Sequence, residues 1–281
     1  MHRLALAALA AFLFLAPAAA AGPAAFPKRI VSLSPTATES LFAIGAGKQV
    51  IAVDDQSNYP KRAPRTKLSG FTPNVEAIAE YRPDLVVIGY DPGDLRAALD
   101  RLHIRVLLQD AAKTLPEAYG QIRQLGTITG HRKRADVLVT SMKSRIKKLV
   151  AHARKRGAGL TYYHELTPDL YSATSKTFVG RVYSLFGLRN IADAADRTGS
   201  GYPQLSPEYV VSAAPNLIVL ADSVCCGQNP RTVAARPGWG RIPAVRNGLV
   251  LRIDDSIASR WGPRIVNFVR AVDAALTHVR R

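Results

Sequence analysis

The sequence predicts an α/β protein of two lobes, each a mostly parallel sheet flanked by helices, joined by one long bridging α-helix. Three observations predict it. From Lys28 onward, short apolar runs rich in β-branched residues alternate with helix-like stretches, the order expected of parallel strands with helical crossovers. One passage is written twice: FTPNVEAIAEYRPDLVVIG (71–89) and YPQLSPEYVVSAAPNLIVL (202–220). Both open on an aromatic and a Ser/Thr-Pro step, both carry a glutamate (Glu76, Glu208) with a proline seven residues later (Pro83, Pro215), and both run on as Asp or Asn followed by four apolar residues. Between the two copies, residues 131–156 break the rhythm and read as a single helix.

The elements follow in order. RIVSL (29–33) reads as a buried strand. In the next stretch Ser34 suits an N-cap, Pro35 the first helical turn, and Gly45 or Gly47 the C-cap. QVIAV (49–53) is the second strand, and the polar, proline-rich 54–70 a loop. Residues 73–81 form a short helix that must end before Pro83, because the residue preceding a proline avoids helical geometry. DLVVIG is a strand, DLRAALDRL (94–102) a helix and IRVLLQ (104–109) a strand. In 131–156, Leu138, Met142, Ile146, Leu149, Val150 and Ala153 line one helical face, with basic residues over much of the rest. After it LTYYHE (160–165) restarts the pattern. TFVGRVYSLFGLRNIAD repeats the helix–Gly–strand order of ESLFAIGAGKQVIAVD, and Gly45 to Pro60 spans 15 residues where Gly187 to Pro203 spans 16. The expected division is a leader over 1–21, an N-terminal lobe over 26–130, the bridging helix over 131–156 and a C-terminal lobe over 157–281.

MHRLALAALAAFLFLAPAAAAG has a basic residue, a short apolar run and small residues at an A-x-A site, the pattern of a cleaved secretory signal peptide. The mature chain is therefore expected to be soluble and periplasmic. Cys225 and Cys226, the only cysteines of the 281-residue chain, are adjacent, so no disulfide can staple distant parts of it. They stand where a strand leaves for the cleft, as a ligand contact or a vicinal disulfide. The net charge of +17 points to an anionic partner or surface and says nothing of fold.

These residues resemble the periplasmic substrate-binding proteins of ABC importers that have a rigid helical backbone, and within them the cobalamin-binding members. RIVSLSPTATESLFAIGAG, FTPNVEAIAEYRPDLVV, DLYSATSKTFVGRVYSLFGLRNIAD, YPQLSPEYVV and ARPGWGRIPAVRNG followed by DDSIASRWGPRIV carry the resemblance across nearly the whole mature chain. It implies a ligand held between the lobes and delivered, with no chemistry done on it, to a permease dimer with its ATPase subunits. It implies cobalamin or a related corrinoid as the transported ligand, no resident cofactor, no metal and a monomer. It also answers why one passage is written twice: Glu76 and Glu208 match the two surface glutamates that dock on the two permease subunits. As ligand contacts it implies Tyr171 and Tyr202, with Phe71 and Tyr90 within a residue of two others. Gln56 stands where a tyrosine is expected, Arg260 matches a cleft arginine, and Asp255 or Ser256 lies near a cleft acid. Tyr59 joins the set as an aromatic at a strand exit, where open α/β lobes bind ligands. The chain departs from the pattern too. Tryptophans expected of the cobalamin pocket are Gly, Phe or Tyr here. Leu185 or Phe186 and Val269 stand near the family's missing disulfide partners.

Other classes are excluded by what is missing. The chain has no G-x-S-x-G, H-E-x-x-H, P-loop or G-x-G-x-x-G, and the carboxylate pair Asp54–Asp55 has no evident partner, so no enzyme is expected. The basic stretch at 131–156 has no interleaved stacking aromatics, so nucleic acid is not a partner. His103 and His164 stand without the partners a metal site needs. The rival ligands are haem, which wants an axial Tyr or His, and a ferric siderophore, which wants several cleft arginines where only Arg260, with Arg181 less well placed, offers one.

Overall fold

The computed structural model describes residues 25–279; the leader expected over 1–21 lies outside them. The N-terminal half runs β1 (Ile30–Leu33), α1 (Pro35–Ala43), β2 (Val50–Val53), α2 (Val75–Glu80), β3 (Leu85–Ile88), α3 (Leu95–Arg101), β4 (Val106–Leu108) and α4 (Leu115–Ile128). Next comes α5 (Arg132–Gly157). The C-terminal half runs β5 (Thr161–Glu165), α6 (Phe178–Leu185), β6 (Arg189–Asn190), α7 (Pro207–Ala213), β7 (Leu217–Leu220), α8 (Pro230–Ala234), α9 (Pro243–Arg246), β8 (Val250–Arg252), α10 (Asp255–Ala258) and α11 (Ile265–Thr277).

The strands form two four-stranded sheets, ordered β2-β1-β3-β4 and β6-β5-β7-β8, and every pair in both is parallel. The permutation is the same in each half, which is what the duplicated passage leads one to expect. In both sheets the chain leaves its first strand to one side and returns on the other. The crevices this opens lie beyond the carboxyl ends of β1 and β3, and of β5 and β7, where open α/β sheets hold ligands.

Local chemistry sets the element ends. The Ser34 hydroxyl accepts from the Ala37 N–H to cap α1, with Pro35 at its first position. Gly45 closes that helix at φ +90°, a left-handed conformation that favours glycine. Asn74 caps α2 and Ser206 caps α7, each accepting from an N–H three residues on.

Helix α5 holds the halves together. Its 26 residues span about 39 Å. Ala135, Val139, Met142, Ile146, Ala153 and Gly157 are its buried stripe, while Leu138, Leu149 and Val150 are half-buried against the same core. That core is continuous across the molecule: Leu41, Ile44 and Leu125 of the first half and Tyr183, Phe268 and Val272 of the second belong to the cluster that includes Val139, Met142 and Ile146. Each sheet buries a smaller cluster on its other face, with Val31, Ile78, Val86 and Leu99 in one and Tyr163, Val210, Ile218 and Trp239 in the other. A bridging element packed into one core this way resists hinge motion, because interdigitated side chains do not slide freely.

Candidate ligand-binding site

Two hollows sit at the predicted crevices. The first, of about 360 Å³, is walled by Leu33 to Thr36 after β1, Gly89 and Tyr90 after β3, Asp54, Gln56, Gly70 and Phe71. Ser259, Arg260 and Trp261 close it from the second half. The second, of about 510 Å³, is walled by Leu166 after β5, by Lys176 to Val179 and Gly199 to Tyr202, and by Ala111 to Lys113 from the first half. Ser259 and Trp261 line both, so the two hollows adjoin across one seam between the lobes.

The structure brings Gln56, Phe71, Tyr90 and Arg260 together in the first hollow and puts Tyr202 in the second. Phe71 and Tyr90 lie with ring centroids 6.1 Å apart, and the Tyr90 hydroxyl donates to the Phe71 carbonyl at 2.7 Å. Tyr171 lines neither hollow, but its strand-like pairing with Gln204 sets it beside the Tyr202 loop. Tyr59 lies elsewhere: it lines a separate recess with Phe42, Leu138 and Met142, and the Arg264 guanidinium stacks on its ring at 4.5 Å. Asp255 opens the short helix α10 and lines neither of the two hollows. Tyr59, Phe71, Tyr90, Tyr171 and Tyr202 are nevertheless all exposed, between 41% and 67%. A fold that buries Tyr162, Tyr163 and Tyr183 to within 1% of complete leaves these five open.

Arg260 is not a free cation. It donates to the Glu39 carboxylate at 2.8 Å, to Asn58 at 2.9 Å and to the Gln56 carbonyl at 2.9 Å. Arg264 grips the same carboxylate through two N–H groups at 2.9 and 2.6 Å. Asn58 also donates to Ser256, and the Trp261 indole donates to Gln121 at 2.8 Å. All of these bonds cross from one half to the other, so the seam under the hollows is tied by polar groups as well as by α5.

Beneath the second sheet's crevice lies another charged cluster. The Glu165 carboxylate receives two bonds from Arg236, both at 2.6 Å, and Arg236 stacks on Trp239 at 4.5 Å. Asp222, fully buried two residues past β7, has no donor for either oxygen among the described residues. Burial and then the nearby Glu165 raise its carboxyl from 3.8 to about 7. His164 is buried on β5, bonded to the Tyr183 hydroxyl at 2.7 Å, and burial lowers it to about 4. It is a neutral packing group. No cluster of His, Cys, Asp and Glu that could hold a metal occurs among the described residues. Cys225 and Cys226 are exposed free thiols. Desolvation, the Cys226 thiol and the carboxylates of Asp255 and Asp222 all push Cys225 up, which keeps it a neutral thiol rather than a thiolate.

Residues 30–257 match the family described as periplasmic binding protein. The chain belongs to that family. The binding protein is similar to the uncharacterized ABC transporter substrate-binding lipoprotein YvrC of Bacillus subtilis (strain 168), 32% identical over 86% of this chain and 78% of that one. It is 28% identical to the vitamin B12-binding protein of Pectobacterium carotovorum subsp. carotovorum, over 90% of both chains. Among solved structures, the periplasmic vitamin B12-binding protein BtuF of Vibrio cholerae superposes with a TM-score of 0.74 at 25% identity, covering 89% of this chain and 97% of that one. The fold of the periplasmic haem-binding protein RhuT from Roseiflexus sp. RS-1 is equally close, with a TM-score of 0.77 at 23% identity over 89% and 97%. Proteins of this family bind rather than transform, and those of ABC importers hold a small ligand and meet a permease.

Glu76 and Glu208 occupy equivalent places in this binding protein. Each is the second residue of its helix, α2 and α7, and each is exposed. The predicted cleft set missed Trp261, Ser34, Gly70, Gly89 and Asp54. Their signal was position: all but Trp261 and Gly70 stand within one residue of a strand's carboxyl end.

Proposed function

We propose that this chain is the exported binding protein of an ABC importer and that its ligand is cobalamin or a related corrinoid. The observation that carries the corrinoid over its rivals is the charge of the first hollow. Its one arginine, Arg260, is committed to Glu39, Asn58 and the Gln56 backbone. The carboxylates of haem or of a ferric siderophore would meet no free guanidinium there, whereas a neutral macrocycle needs none. Exposed Phe71 and Tyr90 on one side and Tyr202 on the other suit the faces of a large, flat, amphipathic ring. The vitamin B12-binding relatives that match nine-tenths of the chain support the same reading.

Haem is the second reading. Tyr202 is exposed beside Lys113 and Lys176 in the second hollow, where a phenol could ligate iron and the lysines could face propionates. Docking is the other half of the function: Glu76 and Glu208 present one carboxylate per lobe to the two halves of a permease. Calorimetric and visible-absorbance titrations with cyanocobalamin, cobinamide and haemin test the ligand. Stoichiometric binding of a corrinoid with haemin ignored is the expected result. A tyrosine-ligated haemin spectrum in place of corrinoid binding overturns it.

A further inference from the structure

Asp54 is the one carboxylic acid among the residues walling the first hollow, and among the described residues nothing donates to its buried Oδ1. It follows β2 directly, and its backbone is fixed by an N–H bond to the Ser32 carbonyl at 3.1 Å. The residue is 1% exposed, yet Oδ1 has no hydrogen-bond partner. The wall opposite is kept bare: a Cβ at Gly70 would lie 3.0 Å from Asp54 Oδ2 and 2.6 Å from the Leu33 carbonyl oxygen. Buried acceptors are ordinarily paired, and an unpaired one inside a ligand cavity is a vacancy for a donor. The charged and titratable groups around it are few. Asp55 adjoins it and Arg260 faces it, with the Arg260 charge shared with Glu39. Tyr90, in the same wall, has its hydroxyl turned to the Phe71 carbonyl.

We infer that Asp54 is the specificity-determining contact of this cleft: its carboxyl oxygen accepts an N–H from a carboxamide on the rim of the ligand. It thereby selects an amide-rimmed macrocycle against a carboxylate-rimmed one. The inference rests on the corrinoid reading and deepens it, since corrinoids carry carboxamides around the ring and haem carries two carboxylates. A ligand carboxylate at the same place would set two acids against each other. The ionisation of Asp54 adds a signature. Burial raises its carboxyl to about 6; the hydroxyl and N–H of Ser57 oppose that, Asp55 adds to it and Arg260 opposes it. The acid is thus charged at pH 7.5 and takes up a proton as the pH falls through 6, where the bound N–H loses its charged partner.

The test titrates wild type, Asp54→Asn and Asp54→Ser with cyanocobalamin and with a cyanocobalamin derivative in which one rim amide is hydrolysed to the acid, from pH 5 to 8. Melting curves establish that each variant is folded. Wild type should bind cyanocobalamin about tenfold more weakly at pH 5 than at 7.5, the scale of one charge-assisted hydrogen bond. Both variants should bind about tenfold more weakly than wild type at pH 7.5, lose the pH dependence and discriminate less against the acid derivative. Folded variants that match wild type in affinity and pH profile overturn this inference alone. Wild type that binds no corrinoid at any pH overturns the corrinoid reading, and the inference with it.

Discussion

Each lobe buries one glutamate and answers it with arginine, but the answers come from different places. Glu39 on α1 is 1% exposed, and its partners Arg260 and Arg264 arrive from the other lobe, more than 220 positions along the chain. Glu165 on β5 is fully buried, and its partner Arg236 comes from the same lobe, 71 positions away. The first pair joins two bodies and the second braces one. A binding protein that closes over its ligand by a wide swing could not carry the first arrangement without breaking it on every cycle. The seam therefore argues for a cleft that binds with little motion, consistent with a 26-residue helix sunk in a core common to both lobes.

Breaking the seam should have the largest effect. Glu39→Ala strips two guanidinium groups, 11% and 13% exposed, of their shared ion-pair partner, and the loss expected of a broken buried pair is about 3–5 kcal/mol. Chemical denaturation measures it. Small-angle scattering should also register an enlarged radius, because the lost bonds are those between lobes. A variant of undiminished stability and unchanged radius would remove the distinction between the two glutamates.

Arg236→Met is the matching change in the second lobe. It should cost less, about 2–3 kcal/mol, because a buried carboxyl stripped of its partner can take up a proton instead of remaining charged. Scattering should not change, since no bond between lobes is lost. Expansion as large as that of Glu39→Ala would mean that the second cluster also holds the lobes together.

How far these features were legible in the sequence differs between them. Strands of both sheets were, because RIVSL, QVIAV, DLVVIG and NLIVL are mostly apolar and bounded by turn residues; the edge strand at 250–252 was not. The long helix was, because its apolar stripe recurs from Leu138 to Ala153, about four turns. The glutamate clusters were not. Glu39 sits inside ESLFAIG, where helical spacing makes it one charged residue on a helix; only its partners, 221 and 225 positions on, give it meaning. Arg260 was legible as a cleft residue, but not its commitment to Glu39, which changes what it can offer a ligand. Tyr59 stood at a strand exit like its fellows, yet the chain turns after Asn58 and lays its ring under Arg264. Asp54 was visible as half of a carboxylate pair; that one of its oxygens lacks a donor is a property of packing, which sequence position does not encode.

Acidity should sharpen the contrast further. The Asp222 carboxyl, raised from 3.8 to about 7, is protonated in both folded and unfolded chains below pH 4. Between pH 4 and 7 the unfolded chain releases that proton and the folded one keeps it, so stability falls across this window and is level above it. Asp222→Asn removes the titration. Relative to wild type it should gain about 2 kcal/mol between pH 4 and pH 8, a damped form of the 1.4 kcal/mol per pKa unit that linkage allows. His164, lowered from 6.5 to about 4, acts in the opposite sense: stability is lost as the pH falls from 6.5 towards 4, when the unfolded chain takes a proton that the folded one refuses. Urea midpoints of wild type and Asp222→Asn at several pH values separate the two. A difference between them that stays constant with pH would mean that the Asp222 carboxyl does not change its proton affinity on folding.

The smallest effect on the fold is expected where the lobes are most alike. Glu76 and Glu208 are both exposed, both at the second position of a short capped helix, and neither has an ion-pair partner among the described residues. Reversing both to lysine should change stability by no more than about 0.5 kcal/mol, as for surface sites without partners, and should leave ligand affinity untouched. On the docking proposal, in which each carboxylate meets a basic pocket of a permease half, uptake by an importer reconstituted in vesicles should nevertheless cease, because each lobe would then present a like charge. A single reversal should weaken uptake less than the pair, since one contact survives, and acidic substitutions in the permease pockets should restore it. Full uptake by the double variant would leave the repeated glutamates as helix-end residues only. The duplication would then be a feature of how the fold arose, with no part in docking.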